Sequence, residues 1–249
     1  MSAVRAAAPS ARSRTLTTLG ALYRLLLRTQ LTVARLLGIA ALSSLSILLG
    51  VFSRWDSDPA QAATDAISSY GLSLVVPLAT LWLGTSAIGD LVDDRLLVYL
   101  WLKPVPRWQL PAAAVLATTS VLVPLTVVPV TVTALVVGAG EVAPAAFLAA
   151  ALAGVAYAGV FVAAGLWFRR AAWWGLAFVL LWENAVANLA AGSARFTVVG
   201  WASSILETAP DIEVSPSAGS GAAALVVLPA IALVGWLAAT VRYQRADVD

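Results

Sequence analysis

Long runs of apolar residues alternate with short polar connections along the whole chain. The six runs cover about 31–52, 70–89, 110–140, 142–168, 171–191 and 221–241. A helix that crosses a bilayer needs about 20 apolar residues, so the pattern predicts an all-α protein with six transmembrane helices. The run at 110–140 exceeds this length and contains three prolines, which predicts a tilted or kinked helix.

A basic amphipathic segment precedes the first apolar run. Leucines recur at steps of three and four residues from Leu16 to Leu26, while Arg24, Arg28 and Arg35 lie on another face. This pattern predicts an interfacial helix over about 14–30, with its arginines toward anionic headgroups. The alternative is an N-terminal extension of the first span, whose arginines reach back to the membrane surface.

Composition narrows the class of protein. The chain is 61% hydrophobic and 11% charged, whereas soluble domains are about 45–50% apolar and about 25% charged. We therefore expect residues 1–249 to form a single transmembrane domain in contact with membrane lipid, and nothing indicates nucleic acid. The chain contains no cysteine and no histidine, which excludes disulfides, thiolate or imidazole metal sites and histidine-based catalysis. We expect no cofactor, no metal and no catalytic residue.

The distribution of basic residues predicts an orientation. With the N-terminus inside, thirteen of the 15 Lys and Arg residues lie on the inner side, and Arg54 and Arg195 lie on the other. Inner loops of membrane proteins carry such an excess of positive charge. We therefore expect both termini to be cytoplasmic, in a multi-pass protein of the cell membrane (inner or plasma membrane).

A charged island interrupts the apolar pattern at 90–109, on the predicted cytoplasmic side. Acidic residues open it, an apolar run over 96–102 follows, and Lys103-Pro104 ends the helical pattern. This arrangement predicts a short surface helix on which a partner docks; the alternative is an ordinary charged loop. The predicted docking residues are Asp93, Asp94, Arg95, Leu96, Leu97, Tyr99, Leu100, Trp101, Lys103 and Arg107.

The segment from Asp90 to Trp108 resembles the first cytoplasmic loop of ABC-2-type transporter permeases, with Pro104-Val105-Pro106-Arg107 as the exit into the third span. The layout of the chain is similar as well. The resemblance implies that the loop contains a coupling helix seated on a separate ABC ATPase subunit, present in two copies. It also implies a second permease copy or a related permease chain, and short re-entrant helices in the extracellular segment 192–220. The expected function is ATP-driven transport, with export as the family's tendency and ATP hydrolysis confined to the partner.

One polar cluster lies inside a predicted span: Glu183, Asn184 and Asn188. A carboxylate at membrane depth costs roughly 2.5–3.5 kcal/mol on insertion scales, so it needs a partner or water. The functional interpretation is a lining of the transport path; the alternative is hydrogen bonding between helices. The cluster also supports a second function, a motor-independent channel, secondary carrier or scaffold that uses Glu183 as a proton or ion site.

Overall fold

The computed structural model describes residues 11–55, 58–93, 106–183, 185–186, 192–210, 212, 214–215 and 217–245, with the backbone alone for 11–14 and 90–93. Helices make up nearly all of this part of the chain, and it contains no strand. The α-helices are α1 (Ala11–Gln30), α2 (Val33–Ser53), α3 (Pro59–Ala66), α4 (Val76–Asp93), α5 (Gln109–Leu122), α6 (Val128–Val137), α7 (Ala143–Trp167), α8 (Ala171–Ala177), α9 (Val198–Leu206) and α10 (Gly221–Arg245).

Three π-helical segments join or extend these helices, over Ile67–Val75, Val123–Val127 and Phe178–Glu183. Pro77 directly follows the first segment and Pro124 lies within the second. Proline cannot donate a backbone hydrogen bond and its ring clashes with the carbonyl of the preceding turn, so a wider turn accommodates it. The expected irregularity of the 110–140 run therefore appears as a π-helical segment within a continuous helix.

Five helices are long and apolar enough to cross a membrane: Val33–Ser53, Pro59–Gly89, Gln109–Val137, Ala143–Trp167 and Gly221–Arg245. The all-α, membrane-protein class is confirmed at this level. In the predicted fifth span the described helix, Ala171–Glu183, is shorter than the others, and most of 184–191 lies outside the described residues. The count of six spans and the cytoplasmic termini stay predictions.

The second long helix begins earlier than its apolar run predicts. The apolar runs at 31–52 and 70–89 predict a polar loop over 53–69, but α3 starts at Pro59. The Asp58 carboxylate accepts hydrogen bonds from the backbone N–H groups of Ala60 and Gln61, both at 3.1 Å. An aspartate cap followed by proline is a strong helix start, and it outweighs the polarity of the segment.

The N-terminal helix has the predicted amphipathic character. Leu22 and Leu26 are buried against α5, while Arg24 and Arg28 are exposed. The Gln30 side-chain amide donates to the Thr118 hydroxyl over 3.1 Å, which fixes the end of α1 on α5. Leu31 and Thr32 separate α1 from α2, so the basic segment is a distinct helix packed beside the bundle.

Helix α7 lies at the centre of the bundle and contacts α4, α5, α6, α9 and α10. Its buried positions are mostly alanine and glycine, which let neighbouring backbones approach closely. The closest approach is to α10: a Cβ on Gly159 would lie 2.5 Å from the Ala232 carbonyl oxygen, and a Cβ on Gly235 would overlap the Gly159 backbone. Tyr157 and Phe161 fill the space beside this crossing, with their rings stacked at 5.6 Å.

The crossing predicts opposite effects for two glycine substitutions. Gly235→Ala forces α10 away from the α7 backbone and should lower the free energy of unfolding by about 1–3 kcal/mol. Gly20→Ala, in α1, meets no atom within 4 Å and should instead stabilise the helix by about 0.5–1 kcal/mol. Thermal unfolding of the two variants in the same detergent measures both effects, and equal stability of Gly235→Ala and the natural chain would contradict the close crossing.

Candidate functional site

Arg107 and Trp108, at the end of the charged island, lie at one end of the bundle. There they contact the C-terminal part of α10. The Arg107 guanidinium donates to the Gln244 carbonyl oxygen over 2.6 Å. One residue later, the Trp236 indole donates to the Trp108 carbonyl oxygen over 3.4 Å, and the two indole rings form an edge-to-face pair at 6.4 Å. The exit of the island is therefore attached to α10 at two consecutive residues.

Two further contacts hold this end of the bundle together. The Gln109 side-chain amide donates to the Thr15 carbonyl oxygen over 3.2 Å, which connects the start of α5 to α1. The Arg242 guanidinium lies 6.0 Å from the centre of the Trp167 ring, a cation–π geometry that connects the ends of α7 and α10. Side-chain contacts thus connect α1 to α5, α5 to α10 and α7 to α10 at the end of the bundle next to the island.

Of the predicted docking residues, Arg107 is the one whose side chain the structure describes. Asp93 is the last residue of α4, and its side chain lies outside the described residues. Asp94, Arg95, Leu96, Leu97, Tyr99, Leu100, Trp101 and Lys103 lie outside the described residues altogether. Arg107 is described, is exposed and bonds to α10 as given above.

Glu183 is the best-defined polar site inside the apolar part of the bundle. Its side chain is 1% exposed. One carboxylate oxygen accepts from the Val198 backbone N–H over 3.2 Å, and the other accepts from the Val199 N–H over 3.1 Å. These are the first two residues of α9, whose N–H groups have no partner within the helix. The carboxylate therefore caps the positive end of the α9 dipole.

Further side-chain hydrogen bonds hold α9 and the residues next to it against the rest of the bundle. The Thr197 hydroxyl accepts from the Gly200 N–H over 3.1 Å, an ordinary N-cap bond. The Trp182 indole, next to Glu183, donates to the Phe196 carbonyl oxygen over 3.1 Å. At the other side, the Ser204 hydroxyl accepts from the Ala218 N–H over 3.0 Å. Helix α9 is thereby fixed to the preceding helix and to the chain that leads into α10.

The Tyr157 hydroxyl lies beside the same carboxylate. Tyr157 is fully buried and interacts electrostatically with Glu183, although its geometry falls outside that of an ordinary hydrogen bond. Helix α7 therefore contributes a polar atom to the site, next to the two backbone donors of α9. The other two residues of the predicted cluster, Asn184 and Asn188, lie outside the described residues.

Hydrogen bonding between helices was one of the two interpretations of Glu183 from the sequence, but the sequence analysis did not identify α9 as the partner helix. A signal was present in the chain: Thr197 precedes a nine-residue apolar segment, Val198–Leu206, and threonine is a favoured cap residue. A short apolar helix that starts at membrane depth needs acceptors for its first N–H groups. Glu183, 15 residues before Val198, is the carboxylate that provides them.

An open cleft lies at the opposite end of the bundle from Arg107. Its volume is about 1120 Å³, and Gln61, Asp65, Glu207, Ile212 and Val214 are among the residues that line it. In the described part of the chain no three acidic side chains are arranged to hold a metal ion. The cleft is lined by polar and acidic side chains at this end of the bundle, and Glu183 is not among them.

Comparison with protein-family models finds no match for this chain, and comparison with curated proteins finds none either.

The capping geometry predicts how Glu183 substitutions act. Glu183→Ala leaves two buried N–H groups without an acceptor, at a cost of about 1–3 kcal/mol for each. Hydrogen exchange should therefore accelerate at the backbone amides of 198–200, and the protein should unfold at a lower temperature. Glu141→Ala, at an exposed turn, is the matched control and should change neither. Unchanged amide exchange at 198–200 in Glu183→Ala would contradict the capping role.

Proposed function

We propose that this chain is the membrane-spanning permease subunit of an ATP-driven ABC transporter, most simply an exporter, whose ATP hydrolysis takes place in a separate ATPase subunit. The observation that carries the proposal is the charged island at 90–109. It combines an acidic start, an apolar run and a Lys-Pro end within one connection of an otherwise apolar protein. Such a segment has the chemistry of a docking helix, since a contiguous apolar patch bordered by charged residues is typical of an interaction site.

The contacts at the exit of the island support a mechanical role. Because Arg107 bonds to Gln244 and Trp108 contacts Trp236, a displacement of the island acts on α10 as well as on α5. At its other end the island follows α4 directly, and α4 packs on α7. A partner that moves the island would therefore move several long helices together, as transport driven by a soluble motor requires.

The proposed topology has six spans and both termini in the cytoplasm, in the cell membrane. The fifth span consists of Ala171–Glu183 and the residues that follow to about 191. Thirteen of 15 basic residues then lie inside. Helix α9 supports a re-entrant outer segment, because it is short, apolar and buried between α7 and α10. Two permease subunits, identical or related, complete the pathway, and two ATPase subunits bind beneath them.

The geometry of Glu183 weighs against the second function, a motor-independent carrier or channel. A proton or ion site needs a carboxylate that can exchange its ligand. Both oxygens of Glu183 are engaged by backbone N–H groups, so a positioning role for this side chain is the better supported one.

Cysteine labelling tests the topology without background, because the natural chain contains no cysteine. We expect a membrane-impermeant maleimide to label Glu141→Cys and Ser215→Cys in intact cells, and to label Arg170→Cys only after permeabilisation. All three positions are exposed. Labelling of Ser215→Cys and Arg170→Cys from the same side would mean that 171–191 does not cross the membrane, and would overturn the six-span topology.

Substitutions in the island test the docking role. Asp94→Lys and Leu97→Glu should each abolish copurification of an ATPase subunit from the native membrane, while the variants still insert at the natural level. A reversal of charge or polarity at a protein interface leaves an unpaired or desolvated group, which costs several kcal/mol. Mass spectrometry of the affinity-purified complex in a mild detergent measures the association.

Glu141→Lys is the control for this experiment, since it makes the same kind of charge change in a turn at the predicted outer side. It should copurify the ATPase as the natural chain does. Normal ATPase association in both island variants would contradict the docking role. If the natural chain yields no ATPase under conditions that preserve a known complex of this kind, the proposed function is wrong.

A further inference from the structure

An open, largely apolar groove runs along the outside of the protein between α1 and α5. It has two adjoining parts of about 390 and 360 Å³, and the side chains of Tyr23 and Ser120 line both. The first part extends toward Leu16 and Leu116, and the second extends toward Leu31 and Leu125. Along α1 the groove spans about 15 residues, or about 22 Å. This is a long, narrow surface rather than a compact pocket.

The walls of the groove offer little to a polar ligand. The Tyr23 hydroxyl donates to the Ser120 hydroxyl over 3.1 Å, and Ser120 donates in turn to the Leu116 carbonyl oxygen over 2.8 Å. These two polar side chains therefore have partners within the protein, and leucine makes up most of the remaining surface. A flexible aliphatic chain is the ligand that matches such a surface.

Two basic residues of α1 lie close in sequence to the residues that line the groove. Gly20 lines the groove, and Arg24 and Arg28 follow it at steps of four residues, so the three positions form one row along the helix. Both arginines are exposed and form no ion pair with the described part of the chain. An apolar groove with a row of cations on the same helix matches an amphiphile that carries a negative charge.

The length of α5 and α6 indicates the depth of this surface in the membrane. The continuous helix Gln109–Val137 has 29 residues and is about 43 Å long, against about 30 Å of hydrocarbon. Glu141 follows its outer end closely, so the excess of about 13 Å lies at the Gln109 end and reaches almost to Ser120. Helix α1 packs beside this excess. Arg24, next to Tyr23, then lies near the headgroups, and the part of the groove toward Leu125 enters the hydrocarbon. Arg28 lies about one turn further along α1, and its long side chain reaches back toward the headgroups.

We propose that the groove between α1 and α5 binds one anionic phospholipid, with an acyl chain along the groove and the phosphate against Arg24 and Arg28. This proposal does not depend on the proposed transport function, because it requires only that the chain lies in a bilayer. The lipid would hold the basic helix against α5 and anchor the end of the bundle that carries the island.

Photolabelling in lipid nanodiscs tests the proposal. The natural chain is reconstituted with phosphatidylglycerol or phosphatidylcholine that carries the same photoreactive acyl chain, and the labelled peptides are identified by mass spectrometry. We expect phosphatidylglycerol to label the peptides of 16–31 and 116–125 at least five-fold more than phosphatidylcholine does. The exposed face of α10, with Val226 and Val234, provides an internal reference, since both lipids should label it equally.

Two sets of variants separate the contribution of the apolar groove to lipid binding from the contribution of the arginine charges. Gly20→Leu places an apolar side chain in the groove, where a Cβ meets no atom within 4 Å, and should remove the preferential labelling. Ala21→Leu, exposed on the same helix, should not. The double variant Arg24→Gln and Arg28→Gln should weaken phosphatidylglycerol binding about thirty-fold, the equivalent of about 1 kcal/mol for each arginine. Arg169→Gln with Arg170→Gln is the charge-matched control and should leave the binding unchanged.

The results that would overturn the proposal are specific. Equal labelling of 16–31 and 116–125 by the two lipids means that the groove holds bulk lipid without selection. Unchanged phosphatidylglycerol labelling in Gly20→Leu means that the acyl chain does not lie in the groove. If the arginine variant fails to insert, the comparison of Gly20→Leu with Ala21→Leu still decides the outcome.

Discussion

The close backbone contact between α7 and α10 is the constraint on which the rest of the structure depends. Lipid tails are as apolar as leucine, so helices in a bilayer gain little from hiding apolar side chains and associate through close packing instead. Gly159 and Gly235 provide that packing, since neither position has space for a Cβ. Helices α4, α5, α6 and α9 also pack on α7, and the contacts of Arg107 and Arg242 with their partners depend on where α10 runs.

A second requirement, that buried backbone N–H groups find acceptors, explains how an acidic residue is tolerated inside the bundle. A short helix that begins at membrane depth exposes N–H groups, which must be satisfied by the protein because lipid cannot do so. Glu183 satisfies two of them, and its negative charge is stabilised by the positive end of the α9 dipole. The hydrogen bonds between the carboxylate and the helix end thus offset the desolvation cost of both groups. Neither group would be stable there alone, which makes α9 and the helix of Glu183 a single unit.

The sequence predicts the long apolar helices well, because a run of about 20 apolar residues has few other structures available in a membrane. It also predicts the separate amphipathic helix α1. It fails where a local signal competes with polarity, as at Asp58-Pro59, where a helix cap lies within a polar segment. For Glu183 it offers hydrogen bonding between helices as one role but does not identify α9 as the partner, since the bond joins residues that share no helical periodicity. The sequence also does not predict that Gly159 packs on α10. Small residues occur along much of α7, so composition alone does not select which helix packs there.

Helix α10 connects the two sites. At its start, a Cβ on Gly221 would lie 2.9 Å from the Ser204 carbonyl oxygen, so α10 begins in direct contact with the end of α9. At its other end it receives the Arg107 bond at Gln244. Pro229 lies between them and removes one helical hydrogen bond, which makes the helix easier to bend there than elsewhere. A displacement of the island would therefore reach α9 through α10, while the glycine crossing with α7 fixes the point about which α10 turns. The contacts from Arg107 through α10 to α9 therefore form a continuous physical connection between one end of the bundle and the Glu183 site.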